Sequence, residues 1–235
     1  MTRITTKPLR PCASAKQSGD SAASHFEIEV KDGIKNKKEA KRVESWLYGQ
    51  GYVFEKKTRI VDFLEPSRSV TSRVRFERPL GVRNAITSSY IGKKCHPIAG
   101  ELEDFVRQES DPAVPATVAV EMLMRAIEAQ KGKPIPYYTK KRRYFSGPVG
   151  SHLASIALDK PKGLSKKFIG RFMEVEIQLP LTSPLDEVAA VVDAINSFIE
   201  RVLGEARIPE ISYRKMVMKT WEERGMLKRK SSKRK

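Results

Sequence analysis

The stretch that most constrains this chain is His25-Phe26-Glu27-Ile28-Glu29-Val30-Lys31, where ionic and apolar residues strictly alternate. A period of two is the period of a strand, so Glu27, Glu29 and Lys31 line one face and Phe26, Ile28 and Val30 the other. The two carboxylates then stand about 6.6 Å apart along the strand, within joint reach of one divalent cation, directly or through its waters. A half-buried strand with a solvated polar face would carry the same pattern. The pattern recurs far downstream at Met173-Glu174-Val175-Glu176-Ile177 and, with arginines, at Thr71-Ser72-Arg73-Val74-Arg75-Phe76-Glu77.

Helix and strand signals alternate between these segments. Asn36, with Glu39 three residues on, caps a helix whose apolar stripe is Ala40, Val43, Trp46 and Leu47, stopped by Gly49 and Gly51. Residues 52–64 read as a strand, 66–69 as a turn and 71–77 as the next strand. Ser88 to Lys94 and Leu102 to Glu109 follow as strands around a break at His96-Pro97 and Gly100. Asp111 as cap and Pro112 in the first turn start a helix carrying Val114, Val118, Met122, Leu123, Ala126 and Ile127. Residues 136–146 form an aromatic, basic strand, turned at Gly147-Pro148 onto Leu153 to Asp159. A lysine-rich loop at 160–170 leads to Phe172 to Leu179. Ser183, Pro184 and Glu187 open a long amphipathic helix ending at Gly204, and a last helix begins near Ser212. The order predicts an α+β fold dominated by antiparallel sheet.

Strands that are ionic on one face and apolar on the other have two solutions. The ionic face looks at solvent, or it looks into a barrel whose apolar exterior is covered by amphipathic helices. About eight strands enclose an interior that holds side chains or one small ligand. Charges buried there must be paired or bind ions. Glu27, Glu29, Glu174 and Glu176 suit hard cations such as Mg²⁺ or Mn²⁺, while Lys31, Arg73, Arg75 and a Lys/Arg pair from 140–143 suit phosphates. Together they describe a tunnel for a metal-bound polyphosphate.

The 235 residues suffice for one sizeable core, expected over 25–223 as a single tunnel domain. The net charge of +17 lies mostly in the flanks. Residues 224–235 hold seven Lys/Arg and no acid, and 1–24 hold four against one. Both read as basic, flexible tails, with RNA contact as their sharper role. No run of about 18 apolar residues marks a membrane span. Cys12 and Cys95 stand far apart without metal-ligand spacing, which points to an intracellular, cytoplasmic setting, with nuclear or mitochondrial as alternatives.

In order along the chain, the E-x-E-x-K strand at Glu27-Glu29-Lys31, the R-x-R at Arg73 and Arg75, a K-x-R, Leu158-Asp159, Gly163-Leu164, Phe172-Met173-Glu174-Val175-Glu176 and Ser212-Tyr213 resemble the CYTH group. This is the triphosphate tunnel metalloenzyme superfamily of thiamine and inorganic triphosphatases and class IV adenylyl cyclases, with RNA 5′-triphosphatases as distant members. The resemblance covers 25–217 and implies an eight-stranded antiparallel tunnel barrel. Carried over, it implies metal held by Glu27, Glu29, Glu174, Glu176 and Asp159. It places phosphate on Lys31, Arg73, Arg75, Lys93, Lys140 and Arg142, and gives the catalytic role to Glu27, Glu29, Lys31, Glu174 and Glu176. Lys141/Arg143 fits the K-x-R as well as Lys140/Arg142 does. Lys94 competes with Lys93, and Arg107 with Glu109 resembles a further R-x-E. The loop before Phe172 is longer and richer in lysine than the family pattern, and 78–101 fit it poorly.

The implied activity is divalent-metal-dependent hydrolysis of a triphosphate carried by an inorganic, thiamine or nucleoside substrate. An RNA 5′-triphosphatase, a cyclase using the same tunnel, and a noncatalytic polyphosphate- or RNA-binding module are the alternatives. The chain offers no P-loop, no G-x-S-x-G and no H-E-x-x-H.

Overall fold

The computed structural model describes residues 25–64, 71–81, 88–95, 105–110, 113–131, 133–168, 170–204 and 212–226. The tails assigned to 1–24 and 224–235 lie outside them, except that 224–226 form the turn after the last helix. The expected turn at 66–69 and the break at 96–100 also lie outside.

Nine strands and four helices are described: β1 (His25–Gly33), α1 (Lys37–Gly49), β2 (Val53–Leu64), β3 (Thr71–Pro79), β4 (Ser88–Cys95), β5 (Val106–Ser110), β6 (Ala113–Val114), α2 (Ala116–Ala129), β7 (Tyr137–Val149), β8 (His152–Lys162), β9 (Phe172–Pro180), α3 (Leu185–Leu203) and α4 (Tyr213–Glu223). The strands run β3-β2-β7-β8-β9-β1-β5-β4, every pairing antiparallel, and β3 pairs β4 to close the ring. The two residues of β6 continue the β5 side of β4. The ring is therefore the eight-stranded antiparallel barrel of the α+β expectation.

Alternation decides what lies on each side of the wall. From Phe26 onward every residue of β1 is buried, so both of its faces are covered. Phe26, Ile28 and Val30 join Ile156, Val175 and Ile177 outside the wall, where they pack against Val43 and Leu47 of α1 and Val188, Val191, Ile195, Phe198 and Ile199 of α3. Burial of so much apolar surface, at about 25 cal/mol per Å², fixes the helices on the barrel and turns the ionic residues inward. α1 is capped as the sequence predicts, with Asn36 Oδ1 accepting from the Glu39 amide at 2.9 Å.

Three local expectations are corrected. The second helix does not start at Asp111-Pro112: Ala113 and Val114 pair with Tyr90 and Ser89, and α2 begins after Pro115. Sheet pairing takes Ala113 and Val114, which the expected helix had included, and Asp111 and Pro112 lie outside the described residues. Ser183 does not cap α3, whose cap position is Pro184. Gly147-Pro148 is no turn, because β7 continues to Val149 and the chain reverses at Gly150 and Ser151. Gly147 serves a close approach instead. A Cβ there would stand 2.2 Å from Tyr52 Cδ1, and the Tyr52 hydroxyl donates to the Pro148 carbonyl at 2.6 Å.

Candidate active site

The register brings the two glutamate strands side by side. In the β1–β9 ladder Glu27 stands opposite Gln178, Glu29 opposite Glu176 and Lys31 opposite Glu174. β8 continues the same face with Ala157 opposite Glu174, and Asp159 lies opposite Phe172. Arg142 of β7 lies opposite Asp159. Residues 143 to 151 positions apart in sequence thus meet on one tunnel wall.

A belt of alternating charge runs along that wall. Lys31 Nζ lies 3.1 Å from Glu29 Oε1 and 3.0 Å from Glu174 Oε2. Arg142 donates to Glu174 Oε1 at 2.6 Å and, through Nε and Nη2, to both Asp159 oxygens at 2.7 Å. Lys140 Nζ reaches Asp159 Oδ2 at 3.1 Å. Bidentate charge-assisted bonds of this kind are what make burial of ions tolerable. Of the two K-x-R pairs the sequence offers, one faces into the barrel. Lys140 and Arg142 are buried at 2% and 5% exposure, whereas Arg143 pairs outside the barrel with Glu44 of α1.

α4 enters the belt from the barrel end. The Tyr213 hydroxyl donates to Asp159 Oδ2 at 2.8 Å, and its ring carries two ammonium groups, Lys31 Nζ at 4.2 Å and Lys140 Nζ at 4.5 Å from the centroid. Tyr213 also stacks on Tyr138, with centroids 5.1 Å apart. Ser212, which starts α4, accepts from the Lys215 amide through Oγ.

A second cluster sits on β2, β3 and β7. Asp62 is buried and accepts from Arg75 Nε at 2.7 Å, Arg75 Nη2 at 3.1 Å and the Tyr138 hydroxyl at 2.7 Å. Asp62 and Tyr138 do not figure among the sequence candidates. The available signal was a lone acid among Ile60 and Leu64 on the inward face of β2. Arg73 is half-buried on the same face of β3, opposite Leu64. On β4, Lys93 is the register partner of Ser72, out of step with Arg73 and Arg75, and Lys94 is the partner of Thr71, in step with them. The side chains of Lys93, Lys94, Arg107 and Glu109 lie outside the described residues.

Electrostatics follow the pairing. Burial pushes the Asp159 and Glu174 carboxyls up, but Arg142 and Lys140, joined at Glu174 by Lys31, outweigh it and hold both below the ordinary carboxylate range. Asp62 is depressed in the same way, Arg75 overriding burial. Lys140 moves down to about 8, because burial and the Arg142 guanidinium outweigh the attraction of Asp159 and Glu174.

The donor set fits a hard divalent cation. Glu29 and Glu176 are direct register partners, and like charges so placed oppose strand pairing unless a cation lies between them. Glu27 and Glu174 flank that pair. Asp159 is taken up by Lys140, Arg142 and Tyr213, and Glu174 by Lys31 and Arg142. Among the described residues no three His, Cys, Asp or Glu converge at metal-holding distance with the belt paired as it is.

No family model and no curated relative matches the chain. Solved structures do. PH1819 from Pyrococcus horikoshii OT3 is 20% identical over 82% of this chain and 98% of its own, with a TM-score of 0.57. PH1012 from the same organism is 22% identical over 81% and 99%, with a TM-score of 0.54. The chain shares their fold. HpAC1 from Hippeastrum, which bears the name adenylyl cyclase and has a dominant triphosphatase activity, is 12% identical over 83% of this chain and 95% of its own, at a TM-score of 0.51. The barrel expected from the CYTH resemblance is thus the barrel observed. Among the described residues no helix is long and apolar enough to cross a membrane.

Proposed function

We propose that the tunnel is the active site of a divalent-metal-dependent triphosphatase. The observation that carries this reading is the buried belt Glu29-Lys31-Glu174-Arg142-Asp159-Lys140, in which cations and carboxylates alternate at 2.6 to 3.1 Å inside a closed barrel. A structural core gains little from so many ions, since apolar residues of similar volume do as well or better. A triphosphate gains a great deal from them.

Each part of the belt has a task in that chemistry. Lys31, Lys140 and Arg142, with Arg73 and Arg75 across the tunnel, bind the phosphate chain and neutralise charge on the leaving group. Asp62 and Asp159 hold the arginines in bidentate geometry, so their forks are aimed before substrate enters. Glu27, Glu29, Glu174 and Glu176 would hold Mg²⁺ or Mn²⁺, which when bound supplies charge neutralisation and a lowered pKa for a coordinated water. No protein nucleophile is needed, and catalysis is positioning and electrostatics.

The test is phosphate release from inorganic triphosphate, thiamine triphosphate, ATP and a 5′-triphosphate RNA, each with Mg²⁺, Mn²⁺ and EDTA. Metal-dependent release of orthophosphate is the expected result. Cyclic AMP and pyrophosphate from ATP would assign the tunnel to a cyclase instead, and binding without turnover of any substrate would make it a binding module.

A further inference from the structure

Four cationic residues stand in one unbroken register row across the outer wall of the barrel. Arg78 of β3 pairs with Arg59 of β2, Arg59 with Lys141 of β7, and Lys141 with Lys160 of β8. Their neighbours along the strands, Glu77, Thr58, Ile60, Lys140, Arg142 and Asp159, are the buried tunnel residues, so the row occupies the opposite face of the same strands. Lys57 lies opposite Arg143 in the next row, and Lys162 lies opposite Thr139 on the other side. Arg143 is engaged with Glu44 and with the Phe54 ring. Lys57, Arg59, Arg78, Lys141, Lys160 and Lys162 have no acidic partner among the described residues, and none of the six is buried.

This arrangement works against the fold. Like charges directly opposite one another on adjacent strands are destabilising, and here three such pairs follow in succession at strand spacings of about 4.8 Å. The cost is recovered if a linear polyanion lies across the strands. Farther along the same face the charges give way to rings. Phe63 of β2 contacts Phe76 of β3 and Tyr137 of β7 at centroid distances of 6.1 and 5.6 Å, and Tyr137 is 49% exposed. Cations on the same strand face as an exposed tyrosine ring, backed by the half-buried Phe63, form a combination that binds unpaired bases together with their phosphates. Inorganic polyphosphate would use only the charges, and a duplex keeps its bases from stacking on the wall.

We infer that the outer face of β3-β2-β7-β8 binds single-stranded nucleic acid, with phosphates on Arg78, Arg59, Lys141 and Lys160 and bases on Tyr137 and Phe63. The inference is independent of the tunnel chemistry, because the two faces of the wall do not share side chains.

The full chain, tails included, is titrated across a salt series with a fluorescein-labelled single-stranded RNA of about 20 nucleotides. The RNA carries a 5′-hydroxyl, so it offers the tunnel no triphosphate. Arg59→Ser/Lys141→Ser should raise Kd at least about tenfold and flatten the log–log salt slope by about 1.4, the loss of two phosphate contacts on a single strand. Tyr137→Ala should weaken RNA binding and leave inorganic polyphosphate binding unchanged. Superimposed curves for parent and double variant would overturn the inference. So would an equal loss on the matching duplex RNA, or a loss seen only with phosphatidylserine vesicles. If the double variant melts below the assay temperature, Lys160→Ser at its exposed position carries the same test with half the slope change.

Discussion

Tyr213 donates to Asp159 across 2.8 Å, joining the first residue of α4 to the tunnel wall between positions 54 apart in the chain. The bond closes a circuit, because Asp159 also anchors Lys140 and Arg142 while the Tyr213 ring carries Lys31 and Lys140. One aromatic residue outside the barrel strands therefore positions three of the cations inside it.

Tyr213→Phe removes the hydroxyl and keeps the ring. It should destabilise the protein by about 1.5 to 3 kcal/mol, the range for a hydrogen bond to a charged group. Tyr213→Ala also removes the ring from the cluster of Tyr138, Phe172 and Trp221 and should cost about 3 to 5 kcal/mol. Urea denaturation measures both, and equal losses would show that the ring contributes nothing.

Glu29→Gln and Glu176→Gln each remove one charge from a directly opposed pair. Both should abolish metal-dependent turnover while the chain stays folded, because glutamine keeps the volume and hydrogen-bonding capacity of the side chain and removes only its charge. Activity that survives EDTA in the parent would sink the metal role of these residues.

Asp62→Asn leaves the Arg75 guanidinium with a neutral partner in a poorly solvated place, at a cost of about 3 to 5 kcal/mol in stability. Arg75→Ala should lower kcat/KM by about 2 to 4 kcal/mol through lost phosphate contacts. In a double-mutant cycle on stability the two substitutions should couple by more than about 1 kcal/mol. Additivity within error would mean that Asp62 does not position Arg75.

Two limbs of the pH–stability profile are assigned by the belt. Asp62, Asp159 and Glu174 titrate lower in the folded chain than at their ordinary values of 3.8, 3.8 and 4.5. Their contribution is full above those values and is lost as pH falls below them, where the unfolded chain takes up protons first. Lys140 works in the opposite direction. With a folded value of about 8 against 10.5, the unfolded chain holds the extra proton between them, so stability should rise from pH 8 towards 10. Lys140→Met should flatten that rise in denaturation midpoints measured across the interval.

The sequence made the inward face of β1 and β9 legible because a strand's period of two needs no knowledge of neighbours. Glu27, Glu29, Lys31, Glu174 and Glu176 all appear on the face that alternation predicts. Cross-strand partnership was not legible. That Asp62 meets Arg75 and Tyr138, or that Asp159 gathers Lys140, Arg142 and Tyr213, depends on register and on where α4 docks. Two of the three misplaced features share one cause. Asp111-Pro112 and Gly147-Pro148 carry strong local signals, and sheet pairing overrode both.

The glutamates of the tunnel come from the first and last strands of the ring, which are neighbours in space although β9 ends 155 residues after β1 begins. Such pairing has a high contact order and forms late. A chain emerging from the ribosome holds Glu27 and Glu29 long before Glu174 and Glu176 exist. The constellation can assemble only once synthesis has passed Pro180, so chains truncated before β9 hold only its first half.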